Sequence, residues 1–157
     1  MIRKEVSLMY KILIVTLIAF FAMSNTLYAE NPVVPDGLSG AKVINADECK
    51  KLMNSNGKVF DVRNELEYGE GHLPGAVMLP YKEKSDKAAN FDASVDKFDI
   101  GKLPSDKSAP VIFYCNGDRC WKSYKSSVVA IKAGHKNVNW FRGGFPEWKE
   151  KGYPVEK

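Results

Sequence analysis

The feature that most constrains the fold of this chain is a repeated alternation between short apolar segments and helix-compatible sequence. Four segments have the length and the β-branched or aromatic content of buried strands: residues 58–62, 76–80, 109–115 and 137–141. Helical patterns occur between and after them, over residues 64–71, 121–133 and 145–152. Because strands that alternate with helices require crossover connections, we predict an α/β domain whose mainly parallel sheet is flanked by helices on both faces.

The first 29 residues have the layout of a cleaved signal peptide. A basic start precedes an apolar run, Ile12–Met23, which is short for a bilayer span, and Ala29 ends a polar segment at a suitable cleavage position. Cleavage there leaves 128 of the 157 residues, with 30–40 as a flexible lead-in and 41–157 as the domain. We expect a periplasmic or secreted protein with no stable membrane anchor after cleavage; an uncleaved anchor is the alternative.

The mature chain carries too little net charge to indicate a nucleic-acid partner. Removal of three basic residues and one acidic residue with the leader lowers the formal net charge from +4 to +2. The charges are interspersed, whereas nucleic-acid binding requires basic residues clustered on one face. The size and the lack of repeats indicate one domain. Residues 81–108 are polar and weakly patterned, so we make no structural prediction for them.

Three cysteines are an odd number for an exported protein, which leaves at least one outside any intramolecular pair. Cys49 has a structural explanation. Asn45 and Glu48 have the spacing of a capping box, and in the helix that they predict Cys49 shares a face with Leu52 and Met53. We therefore predict that Cys49 packs in the core, as free cysteines usually do.

Cys115 ends a predicted strand and begins the loop of YCNGDRCW (114–121), which leads directly into a helix. Ligands of open α/β sheets bind beyond the carboxyl ends of the strands, where this loop must lie. A turn that contains Gly117 and runs into a helix N-terminus can direct main-chain N–H groups and partial positive charge toward one sulfur. Both effects lower the pKa of a thiol, so we predict that Cys115 is a nucleophile.

Three segments of the chain together resemble the rhodanese family. They are VFDVRNELEYGEGHLPGAVMLP (59–80), the cysteine loop, and NVNWFRGGFPEWKEKGYPVE (137–156). They are similar to the family's D-V-R, E-[FY]-x-x-G-H-[IL]-P-G-A, strand-end cysteine loop and R-G-G-x-x-x-W, and they cover nearly all of residues 40–157. The resemblance implies a sulfurtransferase without a cofactor, in which Cys115 takes a sulfane sulfur from a donor such as thiosulfate. The resulting persulfide passes that sulfur to cyanide or a thiol.

In this interpretation, main-chain amides of the loop hold both the anionic donor and the persulfide. The amides belong to Asn116, Gly117, Asp118, Arg119 and Cys120, and Arg119 adds an electrostatic contact for the donor. The loop departs from the family pattern, because its sixth position is Cys120 where the family often has arginine, and Asp118 offsets the charge of Arg119. We therefore expect poor use of thiosulfate as a donor.

Cys120 has two interpretations, which the sequence leaves open. A second thiol at this position could attack the Cys115 persulfide, release sulfide and leave a disulfide, after which a periplasmic thiol reductant is needed. Against this, a loop with inward-facing amides turns its side chains outward, and a disulfide requires Cα atoms within about 7 Å. In the second interpretation Cys120 only packs at the start of the helix.

Other chemistries fit the loop less well. Trp121 occupies the position where a cysteine phosphatase or arsenate reductase of related fold needs an arginine. A metal site built on Cys115 and Cys120 lacks a nearby histidine and a second cysteine pair. A non-catalytic module that binds a partner or carries sulfur remains an alternative, because a fold alone does not guarantee turnover.

The remaining polar candidates are assigned structural roles. We predict that His72 makes a turn hydrogen bond and that His135 has no catalytic role. Asp61 is expected to hydrogen-bond to the loop or to Arg119. The other expectations concern charged pairs and faces: Arg63 with Glu67, and Lys122 and Lys125 on a solvated helix face.

Overall fold

The computed structural model describes residues 32–157, so the predicted signal peptide lies outside the described residues. The strands are β1 (Ala41–Ile44), β2 (Lys58–Asp61), β3 (Val77–Met78), β4 (Val111–Tyr114) and β5 (Val138–Phe141). The helices are α1 (Ala46–Asn54), α2 (Glu65–Glu70), α3 (Trp121–Lys132) and α4 (Gly144–Glu150), and two 3-10 turns, Ala93–Val95 and Ile100–Lys102, lie between β3 and β4. In this part of the chain, no helix has both the length and the apolar character of a membrane span.

The strands form one parallel sheet in the order β1-β5-β4-β2-β3, which places β4 in the centre. The predicted α/β class with a parallel sheet is confirmed. Sequence analysis did not predict β1, because it is an edge strand in which Ile44 alone is buried, so its apolar signal is weak.

Successive strand residues face two separate apolar clusters, because side chains alternate between the faces of a sheet. Val59, Ile112 and Phe141 pack with residues of α1, α2 and α4 on one face. Phe60, Phe113 and Trp140 pack on the other face with α3 and with apolar residues of the 81–108 segment. The segment without a structural prediction thus forms part of the core.

The helix start predicted at Asn45 is confirmed. The Asn45 side chain accepts a hydrogen bond from the Glu48 amide, and the Glu48 carboxylate accepts one from the Asn45 amide. The resulting α1 places Cys49 in the core, where it is fully buried. Burial raises the pKa of the Cys49 thiol to about 12, and the charge of Glu147 adds to this, so Cys49 stays protonated at neutral pH.

The expected flexible lead-in contributes contacts to the domain in its described part. Val34 is buried in the cluster on the α3 face. Arg142, directly after β5, donates to the carbonyl oxygens of Val34 and Pro35 and pairs with Asp36 at 2.9 Å. An apolar side chain and two satisfied carbonyls hold this stretch against the carboxyl end of β5.

Candidate active site

Cys115 lies directly after β4, at the carboxyl end of the central strand, and the loop that it begins leads to α3. The loop bends at Gly117, where φ is +110°. Gly144, at the start of α4, has a φ of +59°, and a Cβ there would collide with the Cys115 carbonyl. The neighbouring Phe145 amide donates to that carbonyl at 2.9 Å. The glycines after β5 therefore allow α4 to hold the base of the loop.

Cys115 and Cys120 form a disulfide, with their Cα atoms 6.2 Å apart. This separation is within the range that a disulfide requires. Of the two interpretations left open for Cys120, the disulfide is the one that the structure contains, because the turn at Gly117 brings the two ends of the loop together. Cys120 also packs partly against the α3-face cluster, so packing and pairing occur at the same residue.

The two sulfur-bearing residues differ in exposure. Cys115 is 1% exposed and belongs to the core cluster, whereas Cys120 is only partly buried and is the N-cap residue of α3. The Cys120 side chain makes no capping hydrogen bond to this helix. Cys120 therefore lies between the buried sulfur of Cys115 and solvent.

Fewer main-chain amides are available to hold a sulfur anion than the five predicted from the sequence. The Cys120 amide donates to the Gly117 carbonyl at 3.1 Å and is therefore part of the loop's own turn. Within residues 32–157, the amides of residues 116–119 donate to no backbone carbonyl. Four adjacent donors at a partly exposed loop are an arrangement that suits an anion.

The side chain of Asn116 connects the loop to α2 by donating to the Glu67 carboxylate. Burial alone would raise the pKa of Glu67, but the hydrogen bonds from Asn116 and from the Asn64 amide hold it below its usual value, with help from the charge of Lys122. Glu67 is a residue of the site that the sequence-based predictions do not include. The spacing of Asn64 and Glu67 is that of a second capping box, and this signal could have placed the Glu67 carboxylate at the carboxyl end of the sheet.

Asp61 and Arg63 form a buried pair at the end of β2. Arg63 Nη2 lies 2.5 Å from Asp61 Oδ2, and the Arg63 Nε donates to both carboxylate oxygens. The Tyr114 hydroxyl donates to Asp61 Oδ2 at 2.5 Å. The expected contacts of Asp61 with the loop or Arg119, and of Arg63 with Glu67, are wrong, because the hydrogen bonds of these two side chains go to each other, to the Tyr114 hydroxyl and to the Gly71 carbonyl oxygen. Through Tyr114 the pair contacts the residue that precedes Cys115.

Lys125 does not lie on a solvated face, so that expectation is wrong. Its side chain is fully buried, 3.0 Å from Glu83 Oε2, and it donates to the Ser85 hydroxyl at 2.8 Å. The pair joins α3 to the segment between β3 and β4. Lys122, one turn earlier on α3, is half-buried and lines a cavity of about 660 Å³ at the carboxyl edge of the sheet. The other lining residues are Arg63, Asn64, Glu65, Leu66, Pro80, Tyr81, Lys82 and Glu83.

The two histidines make structural contacts. His72 Nδ1 lies 3.0 Å from the Tyr68 carbonyl oxygen, which is the predicted turn contact. His135 is buried near the end of α3, 3.0 Å from Lys107 Nζ, and burial together with that lysine lowers its pKa. Neither contact involves the cysteine loop. Across residues 32–157, no three histidine, cysteine or acidic side chains group together as metal ligands do.

Comparison with known proteins identifies the family. The model of the rhodanese-like domain matches residues 45–151, which include every strand except β1 and the whole cysteine loop. The chain therefore belongs to the rhodanese-like domain family. A rhodanese-related protein of known structure from Thermoplasma volcanium has the same fold, with a TM-score of 0.54 and 21% identity over 73% of this chain and 97% of that one.

Relatives of this chain have different activities. The human thiosulfate:glutathione sulfurtransferase is 24% identical over 115 residues, which cover 73% of this chain and 98% of the relative. An HTH-type transcriptional regulator of Mycobacterium tuberculosis is 30% identical over 122 residues, or 78% of this chain and 45% of the regulator. A tRNA uridine(34) hydroxylase of Yersinia pestis is 29% identical, over 30% of its own length. This chain thus spans less than half of the last two relatives.

Proposed function

We propose that this protein is a sulfurtransferase that carries sulfur on Cys115 as a persulfide. The observation that carries the proposal is the position of Cys115 at the carboxyl end of β4, beside four loop amides that donate to no backbone carbonyl among the described residues. Membership of a family that includes named sulfurtransferases supports it. The human relative that is matched over nearly its whole length supports thiosulfate as donor and a thiol as acceptor.

The proposed reaction has two balanced steps. The reduced Cys115 thiolate attacks the sulfane sulfur of the donor, the donor's S–S bond breaks, and sulfite leaves with the electron pair when the donor is thiosulfate. A thiolate or cyanide then attacks the outer sulfur of the persulfide, and the Cys115 thiolate leaves. The amides of residues 116–119 stabilise the anion on Cys115 in both steps, because main-chain donors fixed around a developing charge need no reorganisation.

We also propose that the protein acts outside the cytoplasm, as a periplasmic or secreted protein. The charged, apolar and polar sections of residues 1–29 support export and cleavage after Ala29. The Cys115–Cys120 disulfide is the kind of bond that persists in an oxidising compartment. The intact mass of the protein purified from the producing cell tests this, since a chain that retains residues 1–29 contradicts it.

A second candidate function, a thiol-disulfide or persulfide reductase, is favoured by the disulfide. In this scheme the Cys120 thiolate attacks the inner sulfur of the Cys115 persulfide and hydrosulfide leaves. The product is the disulfide that the structure contains, and a thiol reductant restores the two thiols with two electrons. Cys120 is then a resolving cysteine. This candidate differs from simple transfer because it consumes reductant and releases sulfide without a second acceptor.

One experiment separates these functions. The protein is reduced, freed of reductant, and incubated with thiosulfate, and its intact mass is compared with those of Cys115→Ser, Cys120→Ser and Cys49→Ala. Simple transfer predicts one added sulfur in all but Cys115→Ser, and thiocyanate on addition of cyanide. The reductase predicts that the added sulfur accumulates only in Cys120→Ser, because the wild type expels it as sulfide and closes the disulfide. If no variant gains sulfur from any donor, a non-catalytic binding module remains.

A further inference from the structure

The two cysteines of the disulfide differ in their accessibility to an external thiolate. A thiolate that reduces a disulfide must approach the attacked sulfur along the line of the S–S bond, from the side opposite its partner. Cys115 is 1% exposed and belongs to the buried cluster that also contains Phe113, Trp121 and Tyr124. Cys120 is partly exposed, and Asp118 and Arg119, the two residues before it, are both exposed. Access therefore favours attack on Cys120.

The leaving sulfur must also carry a negative charge. When Cys120 is attacked, the electron pair of the S–S bond passes to Cys115, which begins the loop of four amides that donate to no backbone carbonyl among residues 32–157. Those donors stabilise the new thiolate. The α3 N-terminus would similarly stabilise an anion on Cys120 if Cys115 were attacked. The electrostatic preference is thus divided, and the difference in exposure decides the direction.

The third cysteine, Cys49, takes no part in thiol–disulfide exchange with the loop. Cys49 lies on α1 in the cluster on the other face of the sheet, fully buried, with Met53 Sδ 3.9 Å from its sulfur. The exchange is therefore confined to the two cysteines of the loop.

We propose that Cys120 is the residue through which external thiols reduce this protein, and that Cys115 is the leaving group in that reaction. A monothiol RS⁻ attacks Cys120, which gives a Cys120–S–S–R mixed disulfide and a Cys115 thiolate. A second RS⁻ attacks the outer sulfur of that mixed disulfide, which gives RSSR and a Cys120 thiolate. Reduction thus generates the sulfur-accepting thiolate in its first step. Only this last consequence rests on the proposed function.

The order of attack is measured on the oxidised wild-type protein. The probes are 2-mercaptoethanol and glutathione, each added for short times before a quench with excess N-ethylmaleimide at neutral pH, and the modified peptides are mapped by mass spectrometry. We expect the probe on Cys120 and the maleimide on Cys115, in a ratio of about ten to one or more at the earliest times, because access to the attacked sulfur governs exchange. Cys49 should react with maleimide only after denaturation.

A probe attached to Cys115 with maleimide on Cys120, or an even distribution at the earliest times, overturns the inference. That outcome leaves the proposed function standing, because sulfur transfer is measured on protein that is reduced beforehand. Conversely, if neither the reduced wild type nor reduced Cys120→Ser gains sulfur from any donor, the proposed function is removed and the map of the mixed disulfide remains intact. The two failures are therefore distinguishable, and the map of the mixed disulfide is made on the wild-type protein alone.

Discussion

Two ion pairs lie near the two ends of the cysteine loop, and they differ in how completely they are enclosed. Asp61 and Arg63 are 0% and 3% exposed, two residues apart, at the end of β2. Lys125 and Glu83 are 0% and 16% exposed and join α3 to the segment after β3. The first pair contacts the residue before Cys115, and the second anchors the helix that Cys120 begins. The two ends of one loop are thus fixed independently.

The difference in enclosure predicts in which ion pair the loss of one member lowers the stability of the protein more. Removal of one member of a fully enclosed pair leaves a charge without water or counter-charge, which is far more costly than the pair's net contribution. A carboxylate that keeps some exposure, as Glu83 does, can take water in place of the lost ammonium. The Asp61–Arg63 pair should therefore be the more sensitive of the two to substitution.

The largest effect is expected from Arg63→Met. Asp61 would keep the Tyr114 hydroxyl but lose its counter-charge, so we expect the free energy of unfolding to fall by about 3–5 kcal/mol in urea titrations. Lys42→Met is the matched control, because Lys42 pairs with Glu48 at an exposed position and should cost no more than about 0.5 kcal/mol. An Arg63→Met loss as small as that of the control would show that enclosure does not make this pair sensitive to substitution.

A smaller effect is expected from Lys125→Met. The methionine keeps an apolar side chain near Phe91, and Glu83 regains water, so we expect a loss of about 2 kcal/mol, between the values for buried and surface pairs. Persulfide loading of the reduced variant, measured by intact mass, should match that of the wild type, because Lys125 contacts Glu83 and Ser85 rather than the cysteine loop. A loss larger than that of Arg63→Met would reverse the comparison.

The features of this protein that can be predicted from its sequence are those that depend on residues close together in the chain. The strand and helix pattern, the capping box at Asn45 and the strand-end position of Cys115 all follow from local periodicity or spacing, and the structure contains each of them. The Asp61–Arg63 pair is also local, but its partners were assigned wrongly, because a charged residue has several neighbours at helical or strand spacing and only packing selects one. Local patterns therefore define elements better than they define partners.

The features that could not be predicted depend on contacts between distant segments. Lys125 is buried because the 81–108 segment covers α3, and this segment has no periodic signal of its own. The disulfide depends on the turn at Gly117, where a positive φ brings Cys120 back toward Cys115. Sequence spacing allowed the pairing but could not choose it over packing at the helix start.

The Tyr114→Phe substitution is expected to lower the free energy of unfolding by more than the loss of one hydrogen bond does and by less than the loss of a buried ion pair does. The Tyr114 hydroxyl donates to Asp61 and accepts a hydrogen bond from the Leu73 amide at 3.2 Å, so its removal leaves a buried amide without that acceptor. We expect a loss of about 1–2 kcal/mol in urea titrations. A double-mutant cycle with Arg63→Met measures whether the hydroxyl and the guanidinium act together. If the two losses in unfolding free energy simply add, the Tyr114 hydroxyl and the Arg63 guanidinium act independently, and Tyr114 does not couple the Asp61–Arg63 pair to Cys115.

The smallest effect is a pH dependence that tests the anchoring of the 81–108 segment. Asp96 accepts hydrogen bonds from the hydroxyls of Ser85 and Tyr81, and from the amides of Lys84 and Ser85. Burial alone would raise the pKa of the Asp96 carboxyl, but these donors lower it from 3.8 to about 2. The Ser85 hydroxyl also accepts the hydrogen bond from Lys125, so the two groups share one anchor.

The sign of this pH dependence follows from the lowered pKa. Because the folded protein releases the Asp96 proton more readily than the unfolded chain, the stabilisation is complete above about pH 4 and is lost as the pH falls toward 2. After allowance for solvent screening we expect roughly 1 kcal/mol. The stability difference between wild type and Asp96→Asn in urea should shrink over that interval. A difference that stays constant down to pH 2 would mean that the ionised carboxylate does not hold the segment, and that Lys125 and Glu83 anchor it without Asp96.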